Sequence, residues 1–395
     1  MTHKIDFNLL KTKIEIFENN KKTKNGNQLN DEMILKKNGD LYLIKYDKKR
    51  INDKNINTLG KYRSVIFDKN KLVSFSPPKS LRFNNNFEMG NLKITEFYEG
   101  TMINLFYYNN KWEIATKSVI GANCKYYQHQ NKTYREMFFE VINHQNINLE
   151  DFNKNFSYSF VLQHPENRIV SNIKNMNLVL IKCYSFKNNI IKEESIDEKF
   201  DSLKLVDLTK TLYKDSIEEI FNNYIATEKK DFNEVGIVLT NKNFERIKIR
   251  NFYYEHVKRL KGNSPKIQFI YYTIKKSNRI NEFLTFFPEN AGDFLKFKNE
   301  LFKFTENLYQ KYISCFIKKE TKLIDMEYEY KPHIYALHKM YLENKNKKVN
   351  IRINDNIIQK RFKIDKKRVI DYINNLEPER LMFCINYNKR TDYLK

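Results

Sequence analysis

Two cations one residue apart, Lys248 and Arg250 in FERIKIRN, carry the clearest chemical signal in this 395-residue sequence. Alternate side chains of a strand share a face, so this pair can hold a phosphate between them. A second basic group follows closely. Lys258, Arg259 and Lys261 in YYEHVKRLKGN fall on a helix end, where they can meet a nucleic-acid backbone, although as a bare charge run they would only solvate the surface. Upstream, Arg63 in KYRSVIFD and Lys79 and Arg82 in SPPKSLRF add further cations. Taken singly, each of these residues reads as a solvated strand position.

Other residue types offer less. The seven histidines are scattered without H-E-x-x-H or another ligand spacing, which favours single polar or capping roles over metal ligation. Cys124, Cys183, Cys315 and Cys384 lie far apart with no C-x-x-C pair and no neighbouring histidine, the pattern of reduced core residues. Neither G-x-G-x-x-G nor G-x-x-x-x-G-K-[ST] occurs. In EFYEG an aromatic ring, Phe97, stands two places before Glu99 and Gly100.

The whole chain suits an anionic partner. Lys plus Arg number 71 against 48 acidic residues, a net charge of +23, which attracts polyanions whatever the fold and makes nucleic acid the first candidate partner. Codon bias in an AT-rich genome would also raise Lys and Asn, but it does not enrich Arg, and arginines recur here beside aromatics. A hydrophobic fraction of 41% with only 9 Gly and 7 Pro excludes disordered and collagen-like chains. No run approaches the ~20 apolar residues that span a bilayer, and the N-terminus lacks a signal-peptide core, so no membrane partner and an intracellular address are expected.

These side chains need strands to position them. Short β-rich segments run from about residue 40 to 275: GDLYLIKYD, YRSVIFD, KLVSFSPP, ITEFYEGTMINLFYY, KWEIATKS, FSYSFVLQH, NLVLIKCYSF, VGIVLTN, FERIKIRN and KIQFIYYTI. Ile94 to Tyr108 reads as one strand, and YYNNKWEI as a hairpin turning at Asn109-Asn110. Helices are expected over 133–144, 216–226 and after Phe252. Beyond about Ser277 helical periodicity takes over, and ENKNKKVNIRIND reads as an exposed connection. The expected fold class is α+β: an N-terminal extension over 1–40, a predominantly antiparallel-sheet domain over 41–276 and an all-α C-terminal domain over 277–395.

From about Gly60 to Asn263, several segments in order resemble the RNA ligases of the covalent nucleotidyltransferase superfamily. That resemblance implies a nucleotidyltransferase domain in which a lysine of a K-x-D/E-G motif attacks the α-phosphate of a nucleotide. Aligned on Glu99 and Gly100, the lysine position holds Phe97, which has no lone pair to attack phosphorus. Lys93, four residues upstream, is displaced by ~13 Å along a strand and cannot substitute. The resemblance makes Arg63, Lys79 (or Arg82), Glu99, Gly100, Lys117, Lys248 and Arg250 nucleotide-binding. Lys117 and Ser118 follow the second strand of the hairpin, as the family's basic residue does.

The most specific match is PENRIV, with Pro165, Asn167, Arg168, Ile169 and Val170. The strand before it places Val161 where the family has a ribose-orienting glutamate. Arg168, Lys258, Arg259 and Lys261 are then RNA-binding. The family's metal-directed E-G-[IFY]-V reads here as Glu234-Val235-Gly236, with the carboxylate slipped by one residue, which turns it to the opposite face unless a bulge compensates. EFLTFFPE and LYQKYISCFIKKE are similar to the C-terminal part of divergent RNA ligase-like proteins of large DNA viruses, so an infected cell or virion is a further expected location. The implied partner is RNA, with an RNA-processing protein as a second. The implied cofactors are ATP and Mg2+ if the chain is active, and none otherwise. RNA binding with nucleotidyl transfer in doubt is one reading, and an active divergent ATP-dependent RNA ligase or RNA end-modifying nucleotidyltransferase using another lysine, Lys79 or Lys117, is the alternative.

Overall fold

The computed structural model describes residues 2–22, 32–82, 87, 92–127, 131–194, 204–205, 211–212, 231–241, 245–353 and 356–391. The helix expected over 216–226 lies outside these residues. The chain divides into two compact units, Met1–Arg259 and Leu260–Lys395.

In the first unit the largest sheet runs, edge to edge, Thr2–Lys4, Ile190–Glu194, Asn177–Lys187, Phe156–Gln163, Thr101–Tyr108 and Lys111–Thr116, all antiparallel. Lys204–Leu205 adds a short parallel pairing to Asn177–Lys187. The hairpin turns where the sequence placed it: Asn109 and Asn110 have φ of 48° and 61°, the left-handed pair that a two-residue type I′ turn requires. Helix Tyr134–His144 begins at a capping box, Thr133 with Glu136, and lays Met137, Phe138 and Val141 against Ile103, Phe160 and Leu178. Its apolar residues recur at three and four, so one face is buried.

A second antiparallel sheet, Met33–Asn38, Leu41–Tyr46, Val65–Phe67 and Leu72–Phe75, is apolar on both faces. One face buries Tyr42, Ile44 and Phe67 under Phe7, Leu10 and Ile14 of helix Phe7–Lys22, and the other packs Leu43, Ile66 and Val73 against Phe106 and Ala115. A third sheet is ordered Thr211–Leu212, Leu92–Glu96, Gly236–Thr240, Arg246–Arg250. Its alternation is clean. Leu92, Ile94, Ile237, Leu239, Ile247 and Ile249 bury one face, which leaves Lys93, Thr95, Val238, Arg246, Lys248 and Arg250 on the other.

Two expectations are corrected here. Ile94–Tyr108 is not one strand: Leu92–Glu96 belongs to the third sheet and Thr101–Tyr108 to the largest. The chain crosses between them at Phe97–Gly100. Gly100 permits the crossing because its φ is +154° and a Cβ there would lie 2.4 Å from the Leu162 carbonyl oxygen. KIQFIYYTI is helix Ile267–Lys276, not a strand, with Ile270, Tyr271 and Ile274 buried at helical spacing. A short run of β-branched and aromatic residues fits either period, and tertiary packing decides.

The second unit is helical. Helices Ala291–Tyr312, Lys331–Asn344, Lys366–Asn374 and Pro378–Ile385 bury Phe294, Leu301, Leu308, Ile334, Leu337, Val369 and Leu381. It is not all-α. ENKNKKVNIRIND contributes strand Lys348–Ile353, paired antiparallel with Asn356–Arg361. No described helix is long and apolar enough to cross a membrane.

Candidate phosphate-binding site

The polar face of the third sheet looks across at the largest sheet, and two adjoining cavities lie along it. The first, about 510 Å³, is lined by Arg63, Lys79, Arg82, Lys117, Lys248 and Arg250, together with Tyr46, Ser80, Leu81, Ile247 and Ile249. Six lining residues are cationic and none is acidic. The second, about 360 Å³, is more apolar, with Phe97, Tyr98, Met102, Val161, Ile181 and Val238 in its walls. Gly100 lines it too. Arg63 and Lys248 belong to both.

Phe97 donates its backbone N–H to the Gly236 carbonyl at 2.9 Å, which continues the third sheet's ladder by one residue. Its ring turns toward the cations. Lys248 Nζ stands 4.2 Å from the ring centroid, and the Arg250 guanidinium stands 5.6 Å away. Burial, and then the charges of Arg63, Arg246, Arg250 and Lys258, hold the Lys248 amine well below the ordinary lysine range. Lys117 is pushed down to about 8, first by burial and then by Arg63, Lys45, Lys48 and Lys79. Its amine donates to the Tyr46 hydroxyl at 3.3 Å and lies 4.4 Å over that ring. Among the described residues, Arg63, Lys117 and Lys248 have no carboxylate within ion-pair distance.

Arg82 pairs at 3.6 Å with Asp53 at the exposed rim, while Lys79 sits deeper, its amine lowered by burial and by Arg82 and Arg63. Both line the cationic cavity, so the two sequence alternatives are neighbours. Arg250 reaches Glu255 at 3.5 Å.

Glu99 is buried, and both of its carboxylate oxygens are engaged by the protein. One accepts from the backbone N–H groups of Val170 and Ser171 at 2.9 and 3.0 Å, and the other from the Tyr254 hydroxyl at 2.6 Å. It therefore joins the crossing, the PENRIV segment and helix Phe252–Lys261. Arg168 turns back to donate to the Val170 carbonyl. Lys258 and Arg259 approach Glu255 at 3.9 and 4.0 Å, and Arg259 is four-fifths exposed. Lys261 belongs to the second unit, where its amine lies 5.1 Å from the Phe287 ring centroid. Glu234 is exposed just before strand Gly236–Thr240, and no three His, Cys, Asp or Glu side chains gather as metal ligands among the described residues.

Sequence reasoning missed Arg246 and the Lys182–Glu193 pair. Arg246 is 9% exposed; it donates to the Pro78 carbonyl, and its Nε has no partner. The signal was present, since R-I-K-I-R extends the same alternation. Lys182 ion-pairs with Glu193 in the wall of the second cavity. It sits at a register shift in its strand, where alternation gives no guide. The expectation that no cysteine has a histidine neighbour is also corrected: His333 Nε2 lies 2.9 Å from Cys384 Sγ in the second unit. Burial raises that thiol and lowers the imidazole to about 4, so the pair is neutral and not a thiolate nucleophile.

A segment of this chain matching 98 residues is 33% identical to an RNA ligase of Rhodothermus phage RM378. Over that segment the chain is similar to an RNA ligase. That match covers 23% of this chain and 22% of the phage protein's length. No protein-family model matches the sequence. Among solved structures, a putative ATP-dependent DNA ligase from Aquifex aeolicus aligns at 14% identity over 86% of this chain and 82% of that one, with a TM-score of 0.37. A Naegleria gruberi RNA ligase mutant aligns at 12% identity over 47% and 57%, with a TM-score of 0.33, and another, with ATP and Mn, at 13% over 53% and 69%, with a TM-score of 0.34. Scores this low establish no residue correspondences.

Proposed function

We propose that this RNA ligase-like chain binds RNA, seating a phosphate-bearing end or backbone in the cationic cavity. One observation carries the reading: six cationic side chains, and no acidic one, line about 510 Å³ beside a half-buried sheet face. Buried cations without counter-charges are costly, and a polyanion relieves that cost. Tyr46 and Phe97 at the walls give a base or ribose an aromatic surface, as single-strand binders use. Polyphosphate fits the same donors: Arg63, Lys79, Lys117, Lys248 and Arg250 would hold ATP phosphates, whereas the described carboxylates offer no cluster for Mg2+ beyond what a bound triphosphate brings. Glu99 acts as a positioning residue in this reading, because its oxygens are already engaged.

The test is RNA binding measured against salt concentration. Wild-type protein is expected to bind single-stranded RNA with a steep salt dependence, and Lys248→Ala combined with Arg250→Ala to flatten it. Unchanged affinity and slope in the double variant would refute the cavity as the RNA site. The alternative, an active divergent ligase using a different lysine, has one specific support: the amines of Lys248 and Lys117 are both depressed toward the neutral, nucleophilic form.

A further inference from the structure

Helix Ala291–Tyr312 in the second unit carries apolar side chains outside its core stripe. Phe294, Phe297, Leu301, Phe304 and Leu308 are buried, whereas Leu295 and Phe302 are 58% and 65% exposed. A surface helix ordinarily turns polar groups to solvent away from its core face. Leu295 and Phe302 are seven residues apart, so they share a face at a spacing of roughly 10.5 Å along the axis.

A groove follows that stripe, with two hollows that meet at Leu295. One hollow, about 450 Å³, is walled by this helix together with helices Ile267–Lys276 and Ile280–Phe286. Tyr271, Ile280, Leu284, Phe294 and Leu295 supply its apolar lining. Lys275, Lys298, Asn278 and Asn281 supply the polar part, and no acidic residue lines it. The other hollow, about 490 Å³, is lined by Gly292, Leu295, Lys296, Asn299, Glu300 and Lys303. Glu300 brings a carboxylate to it, but one of that group's oxygens already lies 3.2 Å from the Lys389 amine. Lys275 is half-buried and donates to the Asn374 side chain, so its neighbour is neutral.

We propose that this groove is a docking surface for a protein partner that presents an acidic amphipathic helix, with apolar anchors on Leu295 and Phe302 and in the hollow beside them, and carboxylates on the lysines. The surface is separate from the cationic cavity of the first unit and does not depend on RNA binding there.

Lysines alone would make a solvated stripe. Here four of them border an aliphatic floor, so one ligand must bring both branched apolar side chains and negative charge. Single-stranded RNA brings the charge, but its flat bases need exposed rings to stack on. In this hollow the two rings, Tyr271 and Phe294, are 2% and 3% exposed, and the accessible walls are Ile280, Leu284 and Leu295. An anionic bilayer also brings charge, but it covers a broad face and does not enter a hollow between helices. An amphipathic helix does both, because anchors at i, i+3, i+4 and i+7 match the two-turn spacing of Leu295 and Phe302. The chain's net charge of +23 speeds the approach of an acidic partner.

The probe is a fluorescein-labelled peptide of about five helical turns, built from glutamate, alanine and leucine with the leucines on one face. The full chain is titrated against it by fluorescence anisotropy, beside a scrambled peptide of the same composition, labelled poly(U) RNA, and vesicles of phosphatidylserine and phosphatidylcholine. The patterned peptide is expected to bind at least about tenfold tighter than the scrambled one, and Leu295→Glu to weaken it at least about tenfold. Lys298→Glu is expected to weaken it by roughly threefold or more and to make its salt dependence shallower. Both side chains are exposed, and thermal melting checks that the variants are folded. Tyr335→Glu, at a ring 65% exposed on another helix of the same unit, is expected to change nothing. Equal affinity for the two peptides would overturn the proposal, as would undiminished peptide binding in Leu295→Glu. Loss of RNA or vesicle binding in Leu295→Glu, with peptide binding retained, would overturn it in favour of that other ligand.

Discussion

The two adjoining cavities share a wall but solve the problem of buried charge in opposite ways. In the apolar one, Lys182 is matched by Glu193, so the protein neutralises its own cation. In the cationic one, Lys117 and Lys248 have no such partner among the described residues; burial lowers all three amines, but only Lys182 has a carboxylate that draws its own back up. A self-neutralised pair is part of the scaffold. Cations without a carboxylate, as Arg63, Lys117 and Lys248 are among the described residues, carry a desolvation cost that a bound anion would relieve.

The largest break in that comparison comes from removing one member of the matched pair. Lys182→Met strands a largely buried Glu193 carboxylate and is expected to cost about 3 kcal/mol in a denaturant titration. Next is the loss of Lys248 and Arg250 together as alanines. RNA affinity is expected to fall by at least about tenfold, and the salt slope by roughly 1 to 2, in a fluorescence-anisotropy titration. Lys117→Met goes the other way for stability, to within about 1 kcal/mol of wild type or above it, because it deletes a repelled cation. Equal losses in the lysine 182 and lysine 117 variants would erase the distinction.

The same lysine sharpens the contrast through pH. The pKa of Lys117 in the folded chain, about 8, lies below its unfolded value. Above about 8 the unfolded state therefore binds more protons, and stability is expected to rise with pH up to the ordinary lysine value; below about 8 this contribution is flat. Melting curves of wild type and Lys117→Met across that window isolate the effect, since Arg63, Lys45, Lys48 and Lys79 face the same amine and persist in both. The smallest expected change lies at neither cavity: Asn110→Gly, at φ 61° in the hairpin turn, should move stability by only a few tenths of a kcal/mol.

Much of this was legible in the sequence because the third sheet obeys strict alternation. R-I-K-I-R announces two isoleucines inward and three cations on the other face, and the structure has that arrangement. The Asn109-Asn110 turn was equally readable, because few residues accept two successive positive φ values. The break at Phe97–Gly100 was not. Local propensity runs through it unbroken, and only the close approach of Leu162 shows why the chain must leave one sheet for another. Glu99 shows the same limit. The resemblance alone singled it out, and its partners in the fold, Val170, Ser171 and Tyr254, come from elsewhere in the chain and no local pattern announces them.

Those partners also bear on how the site comes into being. The Glu99 carboxylate waits for groups 71, 72 and 155 residues downstream. Loop closure over such distances comes after local hairpins in folding. During synthesis the crossing would emerge long before the helix that carries Tyr254, leaving a buried-type carboxylate without its donors. The wall that carries Lys248 emerges in that same late stretch. An incomplete chain would then present neither cavity, and the proposed polyanion capture would be confined to molecules whose first unit is finished.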